Sequence, residues 1–274
     1  MARFDPEQTA ERFRKTRHRP QGRRSVRELR LEDALPDGPR FDDPSLQSLH
    51  EQGHFDELLW QLKSGKEATV YVVDGPKGLL AAKIYSDMAV RSFKNDAAYR
   101  DGRFIGDARI EKAIEQRSRT GVNAQQALWI EEEYRQLCAL HAAGVAVPRP
   151  VAREGRVILM EFIGDEDGPA PRLSDVRLSR EEAESALEQA TEAMAAMLRV
   201  GRVHGDYSTF NLLWQRGRVV VIDFPQVVEV EVNRQAAEIL ARDARSLAHS
   251  FGRFGLRVDP ERLLRDVRRR ARNA

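Results

Sequence analysis

The chain has 274 residues, 32% of them charged and 41% hydrophobic, with a formal net charge of +2 at pH 7. That length allows one two-lobed domain or two small ones with an ample core, and the near-balance of charge excludes a chain-wide polyelectrolyte. The single cysteine, Cys138, excludes an intrachain disulfide and reads as a small buried hydrophobe. No run has the apolar length of a membrane span or a secretory signal, so a cytoplasmic protein without a membrane partner is expected.

Residues 1–46 read as a basic, irregular extension, with Pro36, Gly38, Pro39 and Pro44 as breakers. Residues 47–164 read as a first lobe. Leu58–Leu62 forms a strand, Ser64-Gly65-Lys66-Glu67-Ala68 a tight loop, and Thr69–Val73 the returning strand. The loop matches neither G-x-x-x-x-G-K-[ST] nor G-x-G-x-x-G, yet Gly65 flanked by Ser64 and Lys66 offers amides and a hydroxyl to phosphate oxygens. Asp74–Gly78 is a turn into the strand Leu79–Tyr85. Its Lys83 sits among apolar residues and needs an anionic partner, because burying an unpaired ammonium is costly.

A charged insertion over 86–127 follows, which reads either as a lid with phosphoacceptors such as Ser86, Ser92 or Ser118, or as a spacer. Trp129 to Leu140 then forms a helix whose apolar face follows Ile130, Tyr134, Leu137 and His141. Glu133 borders that face and is the candidate partner of Lys83, whereas Glu131 and Glu132 point to solvent. Gly164 to Pro171 reads as a linker, and 165–274 as a second, helical lobe. There Ser179 and Glu182 form a capping box ahead of the stripe Leu187, Ala190, Met194, Met197 and Leu198. Leu240, Ala244, Leu247 and Phe251 mark another helix, and Asp259-Pro260 begins the last one.

The densest chemistry lies in His204-Gly205-Asp206-Tyr207-Ser208-Thr209-Phe210-Asn211, followed by a predicted hairpin that ends at Asp223-Phe224-Pro225-Gln226. An acid and a carboxamide share one short loop, and a strand–turn–strand returns a second acid beside it. In phosphoryl transfer such a set divides the work. One Asp orients or deprotonates the acceptor, while an Asn and a second Asp hold Mg²⁺ against the ATP phosphates.

From about Gln47 to Gly255 the chain resembles the RIO family of atypical protein kinases. The resemblance rests on Ser64–Ala68, Lys83-Ile84-Tyr85, Trp129 to Leu137, Val157–Gly164, Pro169–Leu173, His204–Asn211 and Asp223–Gln226. The stretches after Lys83 and around Trp129 look like the first subfamily, and His-Gly-Asp and Asp-Phe-Pro-Gln look like the second. The resemblance implies an α+β, two-lobed protein-kinase-like fold, with an antiparallel-sheet N-lobe and a reduced helical C-lobe lacking the activation segment. It implies ATP with Mg²⁺, or Mn²⁺ in its place. It makes Asp206 catalytic, Asn211 and Asp223 metal-binding, and Asp223 itself a candidate phosphoryl acceptor. Lys83 would sit on the phosphates, Ser64, Gly65, Lys66 and Glu67 would cover them, and Glu161 to Ile163 would meet adenine. The implied activity is that of a serine kinase or ATPase that phosphorylates itself and acts as a switch on a protein or ribonucleoprotein assembly, such as the small ribosomal subunit. The basic ends suit RNA contact, and also suit ordinary solvated ends. Oligomeric state is not legible. Two other readings are a small-molecule kinase of the aminoglycoside or choline type, and a nucleotide-binding RNA scaffold without turnover.

Overall fold

The computed structural model describes residues 41–65, 67–86, 112, 114, 116, 118–165 and 168–273. The chain divides into two units, Met1–Arg91 with Pro150–Pro169, and Ser92–Arg149 with Ala170–Ala274.

In the first unit, five strands form one antiparallel sheet: β1 (Glu57–Ser64), β2 (Ala68–Gly75), β3 (Gly78–Tyr85), β4 (Pro150–Glu154) and β5 (Val157–Glu161). Their order is β1-β2-β3-β5-β4. Period-two alternation sends Tyr71, Val73, Leu80, Ala82, Ile84, Val157 and Leu159 to one face, where they bury with Leu46 and Leu49 of helix α1 (Pro44–Glu51). Each of the valine, leucine and isoleucine side chains among them contributes about 1.5–3 kcal/mol on burial. Lys83 falls on the opposite face, paired in register with Val70 and Ile158.

The extension expected to be irregular to residue 46 is already ordered at Phe41. Asp43 caps α1 by accepting from the amides of Ser45 and Leu46, and it is fully buried against Arg156, whose Nε donates to Oδ2 at 2.6 Å. Pro44, a breaker by composition, opens the helix, where its missing N–H leaves nothing unsatisfied. The expected linker likewise contains a short ribbon, β6 (Gly164–Asp165) with β7 (Gly168–Pro169).

In the second unit, helix α2 (Arg119–Ala142) begins ahead of Trp129, so the last part of the expected 86–127 insertion is helical. Ser118, a candidate phosphoacceptor, is its N-cap, accepting from the Gly121 amide at 3.1 Å. Ser92 lies outside the described residues. Along α2, Ile130 and Leu137 are buried while His141 is exposed, and Cys138 is half-buried rather than enclosed. The covered face therefore runs on through the fully buried Leu140 rather than through His141.

Helix α3 (Arg180–Arg199) has the expected capping box. Its buried face runs through Ala183, Ala186, Ala190, Met194 and Met197, with Leu187 and Leu198 half-buried on its flank. Helices α4 (Ala236–Phe251) and α5 (Pro260–Arg272) complete the bundle, burying Leu240, Ala244, Leu247 and Phe251 from one and Leu263, Leu264 and Val267 from the other. Two small ribbons carry the connecting chain: β8 (Arg202–Val203) with β11 (Val228–Glu229), and the hairpin β9 (Leu212–Gln215) with β10 (Arg218–Val221). Gln189 of α3 holds the hairpin, accepting from the Val219 amide at 2.9 Å and donating to the Gly217 carbonyl at 2.8 Å. Among the described residues no helix is long and apolar enough to cross a membrane.

Candidate active site

The loop between β8 and β9 is built around two buried acceptors. Gly205 has φ 86, a conformation that disfavours a side chain, so glycine is needed between His204 and Asp206. The Gly205 amide donates to Oδ2 of Asp243 at 2.8 Å, and the Tyr207 amide donates to Oδ1 at 3.3 Å. Asp243 lies on the buried face of α4 and is 2% exposed. Burial pushes its carboxyl up from the ordinary aspartate range, against the lowering pull of these two amides. Arg242 donates to the Gly205 carbonyl. Tyr207 is fully buried and its hydroxyl donates to the Ala190 carbonyl at 2.8 Å, with its titration pushed up by burial.

These anchors leave Asp206 exposed between two buried neighbours. Nδ2 of Asn211 donates both to the Asp206 carbonyl at 2.9 Å and to Asp206 Oδ2 at 3.0 Å. The amide nitrogen of Asn211 is thereby spent on Asp206, which orients its Oδ1 as an acceptor.

Asp223 is delivered by the hairpin. The Ile222 amide donates to the Asn211 carbonyl at 3.0 Å, and the Ile222 carbonyl lies 3.2 Å from Nε2 of His204. Nδ1 of His204 accepts from the Asp206 amide at 3.3 Å, so the proton sits on Nε2 and donates to Ile222. One buried imidazole thus ties the loop that carries Asp206 to the residue preceding Asp223. Asp223 itself is exposed with φ 73, a strained region that acidic and amide residues tolerate better than most.

The donor set suits a hard cation. Asp206, Asn211 and Asp223 offer only oxygens, and among the described residues no group of three His, Cys, Asp or Glu side chains could hold a metal. Such a set is completed by phosphate oxygens, the usual way Mg²⁺ is held.

In the first unit, the Gly65 amide donates to the Ala68 carbonyl at 2.8 Å, closing the turn between β1 and β2, and Ser64 Oγ lies 3.3 Å from Thr69 Oγ1. Glu67 is half-buried and its carbonyl accepts from the Ser86 amide at 2.9 Å. Lys66 lies outside the described residues. Lys83 is half-buried, with Nζ 5.2 Å from the centre of the Tyr85 ring. Glu161 pairs with Leu80 at the end of β5, and Ile163 is buried two residues on, beyond Phe162, which packs with Trp60 and Val72.

Glu133 is 3% exposed, deeper than a position bordering an apolar face implies. Its helix groups with the second unit, whereas Lys83 belongs to the first. Glu132, expected in solvent, joins a polar cluster: it binds Arg135 at 2.8 Å and Gln136 at 2.6 Å, and Arg135 also pairs with Glu229. Arg202 Nε donates to the fully buried Gln136 at 2.8 Å. Sequence reasoning missed Asp243, Arg242 and this cluster. For Asp243 a signal existed, since it is a lone acid beside Leu240, Ala244 and Leu247 on an otherwise apolar helix face.

The RIO domain family matches residues 69–263. The RIO-type serine/threonine-protein kinase Rio1 of Haloferax volcanii is 35% identical over 227 residues, covering 81% of this chain and 74% of the relative. The serine/threonine-protein kinase RIO1 of Caenorhabditis elegans is 33% identical over 207 residues, covering 75% of this chain but only 39% of the relative. The Rio2 kinase of Chaetomium thermophilum, solved as an ADP/Mg²⁺-phosphoaspartate complex, is similar in fold with a TM-score of 0.62 at 20% identity, covering 89% of this chain and 72% of the other. The architecture is thus that of a protein-kinase-like fold, an antiparallel sheet followed by helices. The chain belongs to the RIO family of atypical serine/threonine kinases, a family of phosphotransferases.

Proposed function

We propose that this chain is an ATP- and Mg²⁺-dependent phosphotransferase of RIO type, with Asp206 as the acceptor-orienting base and Asn211 and Asp223 as metal ligands. The observation that carries the reading is the closed hydrogen-bond set Asp206–Asn211–Ile222–His204, which holds the three side chains on one backbone scaffold. Mg²⁺ held by Asn211 Oδ1 and Asp223 would neutralise charge on the transferring phosphoryl group. Lys83 carries charge to the phosphates, and Glu133 is a further candidate for the nucleotide site. Ser64, Gly65, Lys66 and Glu67 form the phosphate-covering turn, and Glu161 with Ile163 meets the adenine. Residues 47–164 and 165–274 serve as the two functional lobes.

Asp206 accepts the proton of an acceptor hydroxyl as its oxygen bonds the γ-phosphorus and the bond to ADP breaks. Asp223 is a second acceptor. Its carboxylate oxygen bonds the phosphorus, ADP leaves, and water later cleaves the acyl phosphate to release inorganic phosphate. The relative solved with phosphoaspartate supports this branch. Slow turnover of this kind suits a switch on a larger assembly within the cell, a ribosomal one by family resemblance, more than rapid peptide phosphorylation.

The test is turnover of γ-labelled ATP with Mg²⁺ by the protein beside Asp206→Ala and Asp223→Asn, counting released and retained phosphate separately. Release and label lost in both variants, with an acid-labile, hydroxylamine-sensitive adduct in the parent, is expected. Turnover that survives Asp206→Ala unchanged would overturn the assignment.

A further inference from the structure

Along His204–Asn211 only Asp206 and Phe210 are exposed; Ser208 is half-buried and the other residues are buried. Phe210 is 58% exposed, more than any other large hydrophobic side chain among the described residues. Its backbone is nonetheless fixed. Ser208 caps the short turn Thr209–Asn211, its Oγ accepting from the Phe210 amide at 3.4 Å and its carbonyl from the Asn211 amide at 2.9 Å. Thr209 and Asn211 on either side are buried, and Asn211 is bonded back to Asp206. The loop thus holds one carboxylate and one aromatic ring out to solvent, four positions apart.

A single exposed apolar side chain is ordinary on a protein surface. This one is set apart by its place, on the rigid turn that joins the acceptor-orienting Asp206 to the metal ligand Asn211. The negative face of an aromatic ring does not attract phosphate, and Mg²⁺ takes oxygen ligands. What remains for the ring is the acceptor that Asp206 orients. A stacked nucleobase would call for cations beside the ring to track the backbone, and Tyr207–Leu212 carries none. The turn packed beside it, Leu173–Asp175, adds the exposed carboxylate of Asp175. Arg253, which reaches that turn, is bound to the Ser174 carbonyl and lies over the Phe254 ring. A small molecule is held by enclosing most of its surface, whereas a ring standing out in water encloses little. An extended polypeptide fits this surface. Its side chains alternate, so the residue two positions from an acceptor serine shares the serine's face, about 7 Å away.

We propose that Phe210 is a specificity-determining residue that takes an apolar side chain two positions from the acceptor serine of an extended polypeptide. This role rests on the phosphotransferase reading above and adds the class of acceptor to it.

The experiment measures transfer from γ-labelled ATP, with Mg²⁺, to three serine peptides in an alanine background. One has no leucine, one has leucine at both residues next to the serine, and one has leucine at both second neighbours. The full chain is compared with Phe210→Ala and Phe210→Leu, and circular-dichroism melting checks that each variant folds. For the parent, leucine at the second neighbours should lower KM about tenfold relative to the peptide without leucine, the low end of what an apolar contact discriminates. The kcat should be the same for both, because the contact is equal before and during transfer. The KM ratio should fall to about one in Phe210→Ala and persist in Phe210→Leu, whereas a general loss of activity would affect both peptides alike and leave the ratio as in the parent. A ratio kept by Phe210→Ala, or an equal benefit from leucine next to the serine, would overturn the proposal. So would tighter binding of single-stranded oligouridine to the parent than to Phe210→Ala in fluorescence anisotropy, which would assign the ring to a base. ATP turned over without transfer to any peptide would remove the acceptor role and leave the phosphotransferase reading standing; no turnover and no label at all would remove both.

Discussion

Replacing Asp243 with alanine should damage both the stability and the activity of this chain, although Asp243 is not one of the catalytic candidates. The carboxylate is 2% exposed and accepts from the amides of Gly205 and Tyr207, the residues on either side of Asp206. Alanine leaves both buried N–H groups unsatisfied, at about 1–3 kcal/mol each, or about 2–6 kcal/mol together. Part of that is offset, because burial already disfavours the charged carboxyl and its removal ends this penalty. We therefore expect a loss of about 3 kcal/mol by urea unfolding. Asp243→Asn keeps one acceptor and should fall between the parent and alanine. The same loosening frees the backbone that aims Asp206, and a displacement of about an ångström at a reacting group lowers turnover by about a hundredfold. ATP turnover should therefore fall in folded Asp243→Ala at temperatures well below its melting point. A loss under about 1 kcal/mol, given two orphaned amides, would refute the reasoning.

Two further outcomes are expected. Gly205→Ala forces a side chain onto φ 86 at a buried position and should lower stability by about 1–3 kcal/mol in the same unfolding assay. Arg270→Gln should lower stability at neutral pH by under about 1 kcal/mol, because its partners are partly exposed. The Arg270 hydrogen bond holds the Glu188 carboxyl below its ordinary range, and hydrogen bonds from Arg269 and Arg270 hold Asp266 below its own against the opposing effect of burial. Depressed folded values mean that this stabilisation is present above the ordinary carboxylate range and disappears as pH falls through the folded values. The parent–variant difference should therefore begin to shrink below about pH 4 and vanish only below the depressed folded values, which denaturation curves across a pH series would measure.

Much of the architecture is legible in the sequence because the local signals agree. Strand alternation around Lys83, the Ser179–Glu182 capping box, the Asp259-Pro260 start of α5 and the hairpin before Asp223 are each set by residues within one turn or one strand pair. Expectation and structure part where a local signal has two meanings. Pro44 has the composition of a breaker and proves to be the first residue of α1, and the end of the stretch that reads as an insertion, from Arg119, opens α2. His141 fits the helical period of an apolar face, but only packing decides which side of the last turn of α2 is covered, and there Leu140 is buried while His141 is exposed.

By itself the sequence determined which side chains are the candidates for chemistry here. The residue types and spacing of Asp206, Asn211 and Asp223 follow from the order of loop, turn and strand. What only tertiary structure decided is how those groups are held. Asp243 reaches Gly205 and Tyr207 from more than thirty positions away, His204 meets Ile222 across the hairpin, and Gln136 of α2 meets Arg202 of β8. Such pairings join segments whose local signals carry no trace of each other, because a buried polar group constrains its partner through desolvation rather than through sequence proximity.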